Sequence, residues 1–330
     1  MIGYYVHHQG SGHLHRATAL AAALDVPVTG LSSLPRPAAW AGEWIELDRD
    51  DRWADEPGDT AGGHLHWAPL GEPGLRSRMA AISAWIADAQ PAALVSDVSV
   101  EVALLARLHG VPVISVVLPG DRGDRAHRLG QAASSALVAF WPEEVEGMVR
   151  GGVDQRLHRI GAVSRFPVRA SGVARSGGVR RVVVLGGRGG GGVTDADLAA
   201  ARAQTPGWEW EVLGGDGPWL ADPFTSICDA DVVVTHAGQN AIAEVAAARR
   251  PAVVIPADRP HDEQRTTARA LAAGPWPVVV EPEFPATGWA DRLERASALD
   301  GSRWSRWCDG RAPERFAALV GEVVGAQAAR

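Results

Sequence analysis

Residues 232–264 read VVVTHAGQNAIAEVAAARRPAVVIPADRPHDEQ, and this stretch decides the fold. Val232-Val233-Val234 is short, apolar and β-branched, which suits a strand buried in a parallel sheet. His236-Ala237-Gly238 breaks the strand, and Asn240 is placed to cap a helix over Ala241–Ala248. Glu244 follows Asn240 by four residues, one turn in and on the same face. Arg249 and Arg250 close the helix, and Pro251 forbids its continuation. Ala252–Ile255 then predicts a second buried strand, followed by a polar loop ending at Asp262-Glu263-Gln264. A carboxylate, an amide and a helix N-terminus are thereby set at the carboxyl ends of neighbouring parallel strands. That is where open α/β sheets bind ligands. Vicinal hydroxyls suit the carboxylate, further hydroxyls the amide, and phosphate the helix end.

The pattern His236-Ala237-Gly238-Gln239-Asn240, then Glu244, Pro256 and Asp262-Glu263-Gln264 resembles the donor-binding half of GT-B glycosyltransferases, those like MurG above all. The resemblance implies an α/β chain of GT-B type, with two Rossmann-like parallel-sheet domains facing a cleft. It implies that Glu244 binds the ribose hydroxyls, and that Gln264 with Glu263 or Asp262 binds the donor sugar. His236 to Asn240 would line the donor site, and Phe224 would flank the nucleobase. The implied donor is a nucleotide-sugar with UDP as carrier, used without further cofactor. The implied acceptor is a hydroxyl on a small molecule or a lipid-linked intermediate. Transfer in this family inverts the anomeric centre and needs no metal.

Two glycine loops fit the same scheme. Leu185-Gly186-Gly187-Arg188-Gly189 and the glycines to Gly192 follow a buried strand and open a helix. Thr194 and Asp197 have capping-box spacing at that helix start. Glycines let backbone N–H groups approach an anion closely. By resemblance, Gly186, Gly187, Arg188 and Gly189 hold the donor diphosphate, with Arg188 where a small hydroxyl residue is common in the family. The other loop, Gly10-Ser11-Gly12-His13, follows the first strand, Ile2–Val6, and leads into a helix over about 13–24. It resembles the opening loop of many GT-B transferases, and equally that of PseG-type nucleotide-sugar hydrolases. In both, the histidine faces the cleft. Histidine suits deprotonation of an acceptor hydroxyl because it titrates near neutrality. His13 is therefore the candidate base, and Asp97, ending the strand at Ala93–Val95, the candidate partner that orients it.

Composition narrows the classes. The chain has 330 residues, 46% hydrophobic and 22% charged, with a net charge of -7. That is enough for two α/β cores and offers no footprint for nucleic acid. Lysine is absent altogether. A Walker A loop, a pyridoxal Schiff base and a kinase-type ATP lysine are excluded with it. No apolar run reaches the roughly 20 residues of a membrane span, and the chain opens directly on a strand pattern. The expectation is a cytoplasmic enzyme, with peripheral contact at the inner membrane face if the acceptor is lipid-linked. His7, His8, His13 and His15 lack the carboxylate or thiolate spacing of a metal site, and Asp195-Ala-Asp197 and Asp229-Ala-Asp231 read as structural.

Alternation of strands and helices places an acceptor-binding domain at 1–163, a donor-binding domain at 164–310, and a helix at 311–330 returning to the first domain. Residues 35–74 read as loops and short strands. The thirteen tryptophans read mostly as packing, with several in the first half able to stack on an acceptor. Two other functions share the pattern. In a UDP-sugar hydrolase His13 would activate water. In a nucleotide-sugar-binding subunit His13 would be dispensable.

Overall fold

The computed structural model describes residues 1–51, 59–152, 156–170, 178–186, 193–214 and 222–328. The chain forms two compact units. One comprises residues 1–139, 149–160 and 313–330, the other residues 140–148 and 161–312.

The first unit runs β1 (Ile2–Tyr5), α1 (Ser11–Ala21), β2 (Val28–Ser32), β3 (Trp44–Glu46), α2 (Pro73–Ala89), β4 (Ala93–Ser96), α3 (Val100–Leu108) and β5 (Val113–Val116). It continues through β6 (Gly120–Asp121), α4 (Arg125–Ala133), β7 (Ala136–Ala139), β8 (Val149–Arg150) and β9 (Leu157–Arg159). Seven of these strands form one sheet in the order β3-β2-β1-β4-β5-β7-β9, and β6 pairs with β8 separately. Every pairing is parallel. The order reverses at β1, so the switch point lies between β1 and β4, where Tyr5 is registered against Ser96. Ligands gather outside such a reversal. Tyr5, Leu31, Ile82, Trp85, Leu94, Val102 and Val113 pack the core between the sheet and helices α2 and α3. Gly30 is required there, because a Cβ would lie 2.1 Å from the Trp44 ring.

The second unit runs β10 (Arg180–Leu185), α5 (Asp195–Ala203), β11 (Trp208–Leu213), α6 (Phe224–Asp229), β12 (Val232–Thr235), α7 (Gln239–Ala248), β13 (Ala252–Val254), α8 (Glu263–Ala273), β14 (Val278–Val280) and α9 (Trp289–Ser297). Its sheet is parallel, in the order β11-β10-β12-β13-β14. Here the order reverses between β10 and β12. The interior is valine-rich, and Trp289 and Leu293 of α9 are fully buried over Val182, Val232 and Val253. The last helix, α10 (Ala312–Ala328), belongs to the first unit from Pro313 onward. Its Phe316 is fully buried against Tyr4 of β1.

Several sequence expectations shift. The helix after the first glycine loop starts at Ser11 and ends at Ala21, not at His13 and Leu24. Asn240 does not cap α7: the helix begins at Gln239, with Gly238 at the cap position and no side-chain cap. Residues 35–74 hold one described strand, β3, and α2 already starts at Pro73, capped by Glu72. The capping box of Thr194 and Asp197 forms as read.

Candidate functional site

In the first unit, β1 and β4 deliver two loops side by side. Gly10 takes φ 95°, a conformation that favours glycine, and turns the chain straight into α1. His13 lies one turn into that helix, and Asp97 follows the last residue of β4. His13 Nδ1 stands 3.0 Å from Asp97 Oδ2. Arg16, three residues on from His13, donates from Nη2 to Asp97 Oδ1 at 2.7 Å. Asp97 is fully buried and Arg16 nearly so. Burial alone would push the Asp97 carboxyl up, but Arg16 and then His13 outweigh it and hold it at about 2. Asp97 Oδ1 thus accepts from Arg16, while Oδ2 faces His13 Nδ1 at ion-pair distance. Arg16 Nη2 also lies 3.1 Å from His13 Nδ1.

His7 and His8 continue from β1 behind this trio. The His7 and His13 rings are 5.6 Å apart at their centroids, and those of His7 and His8 5.1 Å. Burial, followed by the neighbouring His13 and His8, pushes His7 down to about 3. His8 stands 3.8 Å from Asp50 and 3.5 Å from Asp51. Asp50 is itself paired at 2.6 Å with the buried Arg78, which donates to the Tyr5 hydroxyl at 2.8 Å.

In the second unit, the end of β12 and the start of α7 bring His236, Gly238 and Gln264 together. The Gly238 amide donates to His236 Nδ1 at 3.0 Å. A Cβ at Gly238 would lie 2.5 Å from the His236 ring and 3.6 Å from Gln264 Nε2. Gln264 is buried and accepts from the Ala257 amide at 2.9 Å, which fixes its oxygen and turns its NH2 toward Gly238. Burial, then Arg259, pushes His236 down to about 4 and keeps it neutral. Gln239 and Asn240 occupy the first turn of α7, Ala237 is buried beside them, and no side chain caps the helix. Helices α2, α3, α4 and α5, in contrast, are each capped by a side chain.

Glu244 lies farther along α7 and carries a partner that sequence reasoning missed. Arg165 donates from Nε to Glu244 Oε1 at 2.8 Å. Its guanidinium covers the Phe166 ring at 4.5 Å, and Phe166 stacks on Phe224 at 4.7 Å. Phe224, expected to flank a base, is therefore the end of an Arg165–Phe166–Phe224 stack. Burial pushes the Glu244 carboxyl up, and Arg165 only partly offsets this. Asp262 and Glu263 stand where α8 begins, Asp262 with φ 59° and paired to Arg269 at 2.7 Å.

Gly186 directly follows Leu185, the last residue of β10, whereas Gly187, Arg188 and Gly189 lie outside the described residues. The helix after them, α5, fills its own N-terminus with the Asp197 carboxylate. Gly12 lies in the first turn of α1, beside Ser11.

The fold is that of known GT-B structures. CalG4, the calicheamicin glycosyltransferase, superposes with a TM-score of 0.67 at 16% identity, covering 98% of both chains. MurG of Acinetobacter baumannii does so with a TM-score of 0.64 at 14% identity, covering 97% of this chain and 99% of that one. Residues 224–275 match the sequence model of the glycosyltransferase family 28 C-terminal domain. The chain thus has the fold of these GT-B structures, and its segment 224–275 is similar to the family 28 C-terminal domain. The likeness also reaches one enzyme by sequence, the UDP-N-acetylglucosamine--N-acetylmuramyl-(pentapeptide) pyrophosphoryl-undecaprenol N-acetylglucosamine transferase of Granulibacter bethesdensis. Identity is 34% over 88 residues, which span 26% of this chain and 23% of that protein.

Proposed function

We propose that the protein is an inverting glycosyltransferase that moves a hexose or N-acetylhexosamine from a UDP-sugar to an acceptor hydroxyl. The observation that carries this reading is the His13–Asp97–Arg16 trio at the switch point of the first sheet. His13 Nε2 takes the acceptor proton as the acceptor oxygen bonds to the anomeric carbon. The bond from that carbon to the diphosphate oxygen breaks as the new bond forms, on the opposite face. Asp97, held ionised by Arg16, stabilises the imidazolium and keeps its tautomer without taking the proton. General-base help of this kind contributes roughly 10²–10⁴-fold.

In the second unit, Glu244 takes the ribose diol. Gln264, with Glu263 or Asp262, takes the sugar hydroxyls. The uncapped N-terminus of α7 and the glycine loop from Gly186 hold the diphosphate through backbone amides, the charge stabilisation a leaving diphosphate needs. The family match and the name of the Granulibacter relative support UDP as carrier. They also support an acceptor that is either a small molecule or lipid-linked, the latter met at a membrane face. Among the described residues, no helix is long and apolar enough to cross a membrane.

The test is an NMR time course with UDP-N-acetylglucosamine. Saturation transfer to the nucleotide without turnover, lost in Glu244→Ala and kept in His13→Ala, is the expected result. Rapid conversion to free sugar and UDP, abolished by His13→Ala, would instead make the protein a hydrolase. Nucleotide binding untouched by Glu244→Ala would remove the donor assignment.

A further inference from the structure

The first unit holds a second group of convergent side chains outside the His13 trio. His66 sits in the loop before α2, and its backbone amide is pinned by Glu101 Oε1 at 2.7 Å. The next amide, of Trp67, donates to the same oxygen at 3.1 Å. Asp124 is the N-cap of α4, accepting from the His127 amide at 2.8 Å, and His127 lies in the first turn of that helix. Both backbones are therefore fixed before any ligand arrives.

Their side chains point at one place. His66 Nε2 is 3.2 Å from His127 Nδ1 and 3.5 Å from an Asp124 carboxylate oxygen. His127 Nδ1 is 2.5 Å from the other Asp124 oxygen. The first two separations are those of atoms that share one ion at about 2.0–2.2 Å, and the third is that of a short hydrogen bond an ion would replace. Two imidazole nitrogens and a carboxylate oxygen thus converge, one ligand atom from each residue and all within 4.8 Å of one another.

We propose that His66, Asp124 and His127 form a binding site for a divalent first-row transition ion of the zinc type. Two imidazoles and one carboxylate favour such an ion over magnesium or calcium, which prefer all-oxygen shells. Three protein ligands leave at least one position for water or a ligand oxygen. His127 and Arg122 also line a cavity of about 40 Å³ with Ser96, Ser99 and Ser115, at the carboxyl ends of β4 and β5. A space of that size admits a few waters.

Arg122 limits the affinity. Its Nη1 lies 3.2 Å from His127 Nε2, and its Nε and Nη2 donate to the carbonyls of Leu118 and Pro119. An ion on Nδ1 puts the ring proton on Nε2, so Nη1 must turn aside while the carbonyl bonds hold. Ligating histidines usually donate their second nitrogen to an acceptor, and a donor there costs about 10–100-fold in affinity. This ion is separate from the leaving diphosphate, which the proposed mechanism assigns to backbone amides.

The experiment titrates chelator-treated full-length protein with cobalt(II) chloride, read by visible absorption, and with zinc chloride, read by calorimetry. UDP binding is measured on the same samples. One equivalent bound at about micromolar affinity, with the intense bands of a low-coordinate cobalt site, is expected. His66→Gln and His127→Gln should each weaken binding by about 10-fold or more, with UDP affinity unchanged. The unchanged UDP affinity shows that the variants are folded, and it tests the donor site independently. Absence of stoichiometric binding, or binding that persists in both variants, overturns the proposal.

Discussion

Glu244 offers a test in which the nucleotide itself is edited. One carboxylate oxygen is occupied by Arg165 at 2.8 Å, and the side chain is 12% exposed. A ribose diol would donate to the remaining lone pairs. A hydrogen bond to a charged, half-dry acceptor is worth about 1.5–3 kcal/mol, and two give an upper figure near 4 kcal/mol once overlap with Arg165 is allowed for. Glu244→Ala should therefore raise the Kd for UDP by about 30–1,000-fold. Removing Glu244 also leaves Arg165 without that carboxylate, which could weaken binding for purely structural reasons. The discriminating assay is calorimetry of wild type and Glu244→Ala with UDP and with 2′,3′-dideoxy-UDP. If Glu244 binds the diol, wild type loses affinity for the dideoxy compound and the variant treats both alike, with a coupling energy of about 2–3 kcal/mol. Equal losses for both nucleotides would refute the role.

Three further outcomes follow from the same geometry. Burial raises the Glu244 carboxyl, so UDP affinity should fall as pH drops through a range above that of an ordinary glutamate. The 2′,3′-dideoxy compound should lack that step, which separates it from titration of the phosphate. Asp97 titrates at about 2 when folded against a normal 3.8, so its contribution to stability is present above the unfolded value and lost as pH falls through the folded one. Asp97→Asn should cost about 2 kcal/mol in urea unfolding at pH 7 and make stability flatter between pH 5 and about 2. Gly238→Ala would place a methyl 2.5 Å from the His236 ring. Overpacking of about 1–3 kcal/mol should follow, with weaker UDP binding by titration; an unchanged Tm and Kd would show that His236 yields freely.

Much of this was legible before any coordinates, because the signals are local. Val232–Val234, Gly238 and Pro251 are read from their neighbours alone, and the strand–helix–strand unit stands within a residue or two of that reading. The capping pair of Thr194 and Asp197 is equally local. Arg165 was not legible, because its meaning comes from Glu244, 79 residues away. The same holds for the cluster of His66 with His127, 61 residues apart. Helix α2 escaped notice because a charged residue sits in its apolar stripe. Arg78 is buried there with Ile82, Trp85 and Ile86, and Asp50 and Tyr5, from elsewhere in the chain, help make that tolerable.

The chain passes from one unit to the other four times, at residues 139–140, 148–149, 160–161 and 312–313. Neither unit is a continuous segment, so no single cut releases either intact. During synthesis, the unit that begins first is the one that finishes last. Tyr4 emerges long before Phe316, on which it packs and which arrives only when the second unit is already made. Such long-range closure slows folding and prolongs exposure of unfinished surface. A C-terminal truncation before α10 would thus strip the N-terminal strand of its cover, and a ribosome-bound chain would complete its second unit first.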